Sequence, residues 1–84
     1  MVQDNHTINI IAVDDEPGAV LLMEQYLTKN KNYNVRTAIN GFEVIEMLDH
    51  QPVDVLITDI LMPGMTGIEL AERVLQKYPD TVII

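Results

Sequence analysis

Cysteine is absent from the 84 residues, which excludes a disulfide staple, a thiol nucleophile and a thiolate metal site. Long apolar runs are missing as well. The longest, Ala19 to Met23, has five residues, against the roughly 20 that cross a bilayer. Basic side chains are scarce, five against thirteen acidic ones for a formal net charge of -8, so no surface for a phosphate backbone is expected and no nucleic-acid partner. The stretch Met1 to Thr7 has neither a basic n-region nor an apolar h-region and does not read as a secretory signal; a cytoplasmic protein without a membrane partner is the expectation. No repeat, low-complexity tract, glycine-rich phosphate loop or basic nucleic-acid motif occurs. What is present is an apolar fraction of 48%, too high for disorder. It suffices for one small domain, which buries about 60 to 65% of the surface its unfolded chain exposes.

Residues 1–7 are read as a polar tail and residues 8–84 as the domain. Ile8 to Val13 has no regular polar face and predicts a buried strand. It stops at Asp14, Asp15 and Glu16, and Pro17 then suits a first helical turn. Ala19, Val20, Met23, Tyr26 and Leu27 recur at helical steps, to about Thr28 or Asn30. Tyr33, Val35 and Thr37 alternate with Asn34 and Arg36 in a second strand. Asn40 with Glu43 is close to a capping box for a helix faced by Gly41, Val44, Ile45 and Leu48 and ended by Pro52. Val53 to Thr58 is a third strand and delivers Asp59 at its carboxyl end. After a loop punctuated by Pro63 and Gly64, Thr66 and Glu69 form a second capping box, for a helix whose inner face is read as Ile68, Ala71, Val74, Leu75 and Tyr78. Pro79 and Asp80 turn into a fourth apolar strand, Thr81 to Ile84.

Alternating strands and helices imply parallel pairing with right-handed crossovers. If the second and third strands flank the first on opposite sides, strands one and three are neighbours at a topological switch point, where open α/β sheets bind ligands beyond the carboxyl ends of their strands. Asp14, Asp15 and Asp59 then converge. In the competing order, one-two-three, an intervening strand separates them by roughly twice the ~4.8 Å strand spacing. Three convergent carboxylates repel unless a cation neutralises them, and an all-oxygen set with few protein contacts suits Mg²⁺. An aspartate can also attack phosphorus while a metal bridges carboxylate and phosphoryl oxygens, so phosphoryl acceptance is the chemistry these residues support.

The run Val13-Asp14-Asp15-Glu16-Pro17, followed about 45 residues on by Thr58-Asp59-Ile60-Leu61-Met62-Pro63-Gly64-Met65-Thr66-Gly67, resembles the receiver domain of bacterial response regulators. The likeness spans the chain from Ile8 onward. It implies a three-layer, flavodoxin-like parallel sheet and two-component signal transduction, with a sensor histidine kinase as phosphoryl donor. By the same resemblance Asp59 is the phosphoacceptor, Asp15 and Asp59 bind Mg²⁺ directly, Asp14 acts through water, and the backbone carbonyl of Leu61 adds a ligand. The family's domain also continues with a Ser or Thr at the end of strand four, a fourth helix, a fifth strand ending in Lys, and a fifth helix. The expectation for these 84 residues is therefore strand order 2-1-3-4, with the fifth strand and last two helices missing.

Plainer readings stand beside these. Asp15 could cap the helix entered through Pro17. Met62 and Met65 are expected to pack a loop on the core, His6 and His50 to be solvated, and Glu24, Glu43, Glu46, Glu69 and Glu72 to be helix surface. The receiver is expected to be a regulatory phosphoacceptor and not an enzyme. An aspartyl-phosphate phosphatase resembling the haloacid dehalogenases would need Asp-x-Asp where Asp59-Ile60-Leu61 stands. As an alternative function, a non-switching truncated receiver would act as an interaction module. Either way the β-branched fourth-strand edge, Thr81 to Ile84, has no proline, charge or bulge to blunt it, and homo-oligomerisation through that edge is expected.

Overall fold

The computed structural model describes residues 7–84. The tail expected over residues 1–7, with His6, lies outside them except for the exposed Thr7. The elements run β1 (Ile8–Val13), α1 (Pro17–Leu27), β2 (Tyr33–Ala38), α2 (Gly41–His50), β3 (Val55–Thr58), α3 (Gly67–Lys77) and β4 (Val82–Ile83). Every ladder is parallel, and the sheet order is β2-β1-β3-β4. The switch-point topology is therefore the one the chain adopts, and the order one-two-three is excluded.

Alternation along β1 explains the three layers, because successive side chains leave a strand on opposite faces. Ile11 and Val13 point into the main core with Val44 and Leu48 of α2, Leu56 of β3, and Leu70 and Val74 of α3. Ile10 and Ala12, equally buried, leave on the other face. There α1 packs against β1 and β2 and contributes Val20.

Local chemistry sets the helix starts. Asn40 Oδ1 accepts from the Glu43 amide at 2.8 Å, while Glu43 Oε1 accepts from the Ile39 amide at 2.9 Å. This box reaches one residue further back than the standard form. At α3 the box is complete: Thr66 Oγ1 accepts from the Glu69 amide at 3.1 Å, and Glu69 Oε1 accepts from the Thr66 amide at 3.0 Å. Helix α1 ends where the Thr28 hydroxyl takes the Glu24 carbonyl at 2.6 Å. Its N-cap is Glu16, with no side-chain capping bond, so Asp15 is not the cap.

Three sequence expectations are corrected. The buried stripe of α3 is Gly67, Leu70 and Val74, whereas Ile68 is 59% and Leu75 40% exposed. Helix α3 carries two apolar stripes about a third of a turn apart. The one that joins the core cluster with Leu56 is buried, and Ile68, Ala71 and Leu75 instead line a groove beside β4. Tyr26, one of the apolar residues recurring at helical steps in α1, is 73% exposed, and Val20 is the residue of this helix that is buried. Strand β3 also begins two residues later than expected. Val53 stays buried outside it, and Asp54 clasps Asn9 through both its amide and its carboxylate, each at 2.8 Å.

Candidate functional site

Strand β1 ends at Val13, and the ladder to β3 sets Val13 opposite Thr58. The next residues of both strands therefore leave the sheet side by side. The Asp59 amide donates to the Val13 carbonyl at 3.3 Å, and the Asp14 amide donates to the Ala38 carbonyl at 3.3 Å. With the backbone so held, Asp14, Asp15 and Asp59 each offer one carboxylate oxygen within 4.8 Å of the others. Asp14 is half-buried, and Asp15 and Asp59 open to solvent. All three residues proposed from the motif are thus brought together.

Each carboxylate keeps an oxygen free of hydrogen bonds among the described residues. Asp14 Oδ1 accepts from the Glu16 amide at 2.9 Å and Asp59 Oδ1 from the Ile60 amide at 2.8 Å. One oxygen of each is thereby oriented and the other left available. No ion pair among the described residues reaches this cluster; the pair formed by Lys77 goes to Asp49. A bound cation would neutralise these charges. Opposite oxygens around Mg²⁺ stand about 4 Å apart, and the ion keeps several waters. Three carboxylate oxygens grouped within 4.8 Å would fit such an ion.

The loop after β3 completes the surroundings. Gly64 takes φ 83°, a left-handed conformation that glycine adopts without a Cβ penalty. The reversal there lets Met62 and Met65 fold back into the core at 5% and 3% exposure, which agrees with their expected packing role. Leu61 points its side chain outward at 78% exposure. Its carbonyl accepts none of the hydrogen bonds among the described residues, so it is free for a ligand. His50 sits exposed at the end of α2 with Nδ1 3.0 Å from the Glu46 carbonyl, outside the cluster. Sequence reasoning missed the amide of Ile60 and the hydroxyl of Thr58, which donates to the Asp59 carbonyl at 2.8 Å. Backbone amides leave no sequence signal, and Thr58 read only as a strand residue.

Likeness to known proteins covers nearly the whole chain. The response regulator receiver domain family matches residues 10–84. Regulatory protein VanR of Enterococcus faecium is 35% identical over 75 residues, 89% of this chain and 32% of VanR. Chemotaxis response regulator CheY4 of Vibrio cholerae has a similar structure, with a TM-score of 0.85 at 32% identity over 92% of this chain and 65% of that one. In the crystal structure of histidine kinase ThkA in complex with response regulator protein TrrA, the similar chain has a TM-score of 0.83 at 35% identity, over 92% of this chain and 66% of that one. The 84 residues span about a third of the length of the curated relative VanR. No helix among the described residues is long and apolar enough to cross a membrane.

Proposed function

The chain belongs to the response regulator receiver domain family, the phosphoryl-accepting modules of two-component signalling, and from that premise we propose the roles of its residues. Within a single domain at residues 8–84, Asp59 is the phosphoacceptor, and Asp14, Asp15 and Asp59 with the Leu61 carbonyl hold Mg²⁺. The observation that carries this reading is the grouping of three strand-end carboxylate oxygens within 4.8 Å. When bound, Mg²⁺ would neutralise the negative charge gathered at this site.

The rest is done by the chain. The Ile60 amide holds Asp59 Oδ1, leaving Oδ2 to attack. As the O–P bond forms, the N–P bond of a phosphohistidine donor breaks. The electron pair returns to the imidazole nitrogen, and solvent restores its proton. The acyl phosphate left on Asp59 adds charge at the carboxyl end of the sheet, where it can bias a two-state surface. A sensor histidine kinase is the donor; the pairing of TrrA with ThkA in a crystal structure supports that class of partner. A kinase of that class would draw on ATP, which supports a cytoplasmic location for the exchange.

Incubation with acetyl phosphate and Mg²⁺, read by intact mass, tests the assignment. One phosphoryl adduct is expected on the wild type and none on Asp59→Ala. Equal yield on the variant sinks it.

A second reading rests on the β4 edge. Among the described residues Val82 and Ile83 pair only with β3, and Val82 and Ile84 are 54% and 69% exposed. Beside them lies an apolar groove of about 270 Å³ lined by Ile60, Ile68, Ala71, Leu75 and Ile83. We propose that the 84-residue polypeptide self-associates through this edge, which is also how a non-switching interaction module would work.

A further inference from the structure

Gly67, the first residue of α3, is wedged against the backbone of the residue that ends β3. A Cβ at this position would collide with the Asp59 carbonyl oxygen and lie 3.0 Å from both the Asp59 carbonyl carbon and the Ile60 Cα. At this approach the Gly67 amide donates to the Ile60 carbonyl at 2.8 Å. Close passage of two backbones is a task that only glycine performs without displacement. Its location is informative, because the segment it touches, Asp59 to Leu61, supplies the nucleophile and the carbonyl ligand.

The anchoring on the two sides of this contact is unequal. Helix α3 is fixed by Leu70 and Val74, 0% and 1% exposed in the core, and by the closed Thr66–Glu69 box. Asp59 is fixed by one 3.3 Å bond from its amide to Val13, by the Thr58 hydroxyl, by the Ile60 amide of the same loop on its Oδ1, and by the contact with Gly67 itself, none of which buries its side chain in the core. When a methyl group is forced between them, the less anchored partner gives way. The Asp59 carboxylate then leaves its grouping with Asp14 and Asp15, while the core stays closed.

We propose that Gly67 is a positioning residue for phosphoryl acceptance: its missing side chain, held in place by the Thr66–Glu69 box, sets the distance from Asp59 and the Leu61 carbonyl to the aspartates of β1. The inference rests on the reading of Asp59 given above. It assigns to the start of α3 a part in metal affinity and phosphorylation that acts through the Asp59 backbone and not through contact with the ion or the phosphoryl group.

The test titrates Mg²⁺ into the ¹⁵N-labelled chain and follows acetyl phosphate labelling in the same preparations, at a temperature where each variant is folded by circular dichroism. Gly67→Ala is expected to raise the Mg²⁺ dissociation constant at least about tenfold, and to slow labelling even at saturating Mg²⁺. Two variants separate positioning from loss of stability. Val74→Ala, in the same helix, lowers the melting temperature but keeps the dissociation constant within about twofold of wild type. Gly18→Ala, where a Cβ meets nothing within 4 Å, changes neither quantity.

An unchanged Mg²⁺ affinity in folded Gly67→Ala, or an equal loss in Val74→Ala, overturns the proposal. If Gly67→Ala does not fold, Thr66→Val decides instead. It opens the box without adding a clash, and it should weaken Mg²⁺ binding about threefold; unchanged affinity there also overturns the proposal. A wild-type chain that neither binds Mg²⁺ nor accepts a phosphoryl group overturns the Asp59 reading itself. A competent wild type beside an unaffected Gly67→Ala overturns the positioning role alone.

Discussion

Lys77 at the end of α3 reaches across to Asp49 near the end of α2, Nζ to Oδ1 2.9 Å. The neighbouring Tyr78 donates its hydroxyl to the Leu48 carbonyl at 3.1 Å, so the two helices are tied at their C-terminal ends. The hydrogen bond and charge of Lys77 hold the Asp49 carboxyl below its ordinary 3.8, and those of Asp49 hold Lys77 above its ordinary 10.5.

The pH dependence follows from those signs. Because Asp49 is depressed in the folded chain, its contribution is present above about pH 3.8 and lost as pH falls through its folded value. Because Lys77 is raised, its contribution is present below about pH 10.5 and lost as pH rises through its folded value. Between those limits Asp49→Asn should lower the melting temperature by a constant amount of no more than about 4 °C, since both side chains are half exposed or more and such pairs are weak. The two curves should converge as pH falls through the folded value of Asp49, and about 1 M salt should shrink the gap at pH 7. A gap that widens toward low pH contradicts the argument.

Leu70→Ala probes the core. The side chain is fully buried against Leu56 and Val74, and such truncations cost about 2 to 5 kcal/mol, a large share of the 5 to 15 kcal/mol typical of a whole domain. Urea unfolding should show a midpoint shifted strongly down or a chain already unfolded in buffer. A midpoint close to wild type would mean that α3 does not pack as described.

Metal binding should depend on the strand-end aspartates individually. Asp15→Asn removes a charged ligand without changing shape, and the Mg²⁺ dissociation constant should rise by at least about tenfold. Asp59→Asn should do the same and also abolish phosphoryl labelling. Asp54→Asn, whose carboxylate serves Asn9 at the far end of the sheet, should leave the titration within about twofold of wild type.

Association of the 84-residue polypeptide should respond to charge on the open edge. Ile83→Lys puts a cation where β4 is unpaired on one side, a change that blunts strand edges. Light scattering over a dilution series at moderate salt should show larger species for the wild type and smaller or unfolded ones for the variant. A wild type that stays monomeric and cooperatively folded at micromolar concentration rules out edge association.

Much of this was legible from residues alone. Ile8 to Val13 has no polar face, and β1 has the bounds expected. The paired motifs carry Asp14, Asp15 and Asp59 to one place because the order β2-β1-β3-β4 makes the first and third strands neighbours. Thr66 and Glu69 announce a cap that the structure closes on both sides. The inner stripe of α3 was legible only at Val74 and Tyr78. Ile68 and Leu75 repeat with helical spacing as well as Leu70 and Val74 do, and only the position of the helix over Leu56 selects between them. The demand for glycine at position 67 was equally hidden, since it depends on how near α3 passes to Asp59. That distance is a property of tertiary packing and leaves no pattern along the chain.

The parallel ladders also have a kinetic side. The central strand finds its partners far along the chain: Asn9 bonds to Asn34 across 25 residues and to Asp54 across 45, with no hairpin to bring them near. Such distant closures must be completed before they are rewarded, which slows folding relative to helical bundles. The last of them brings the negative charge of Asp59 toward Asp14 and Asp15. The step that completes the site is thus opposed by its own electrostatics, and millimolar Mg²⁺ should slow unfolding more than it speeds folding if those aspartates meet only after the transition state.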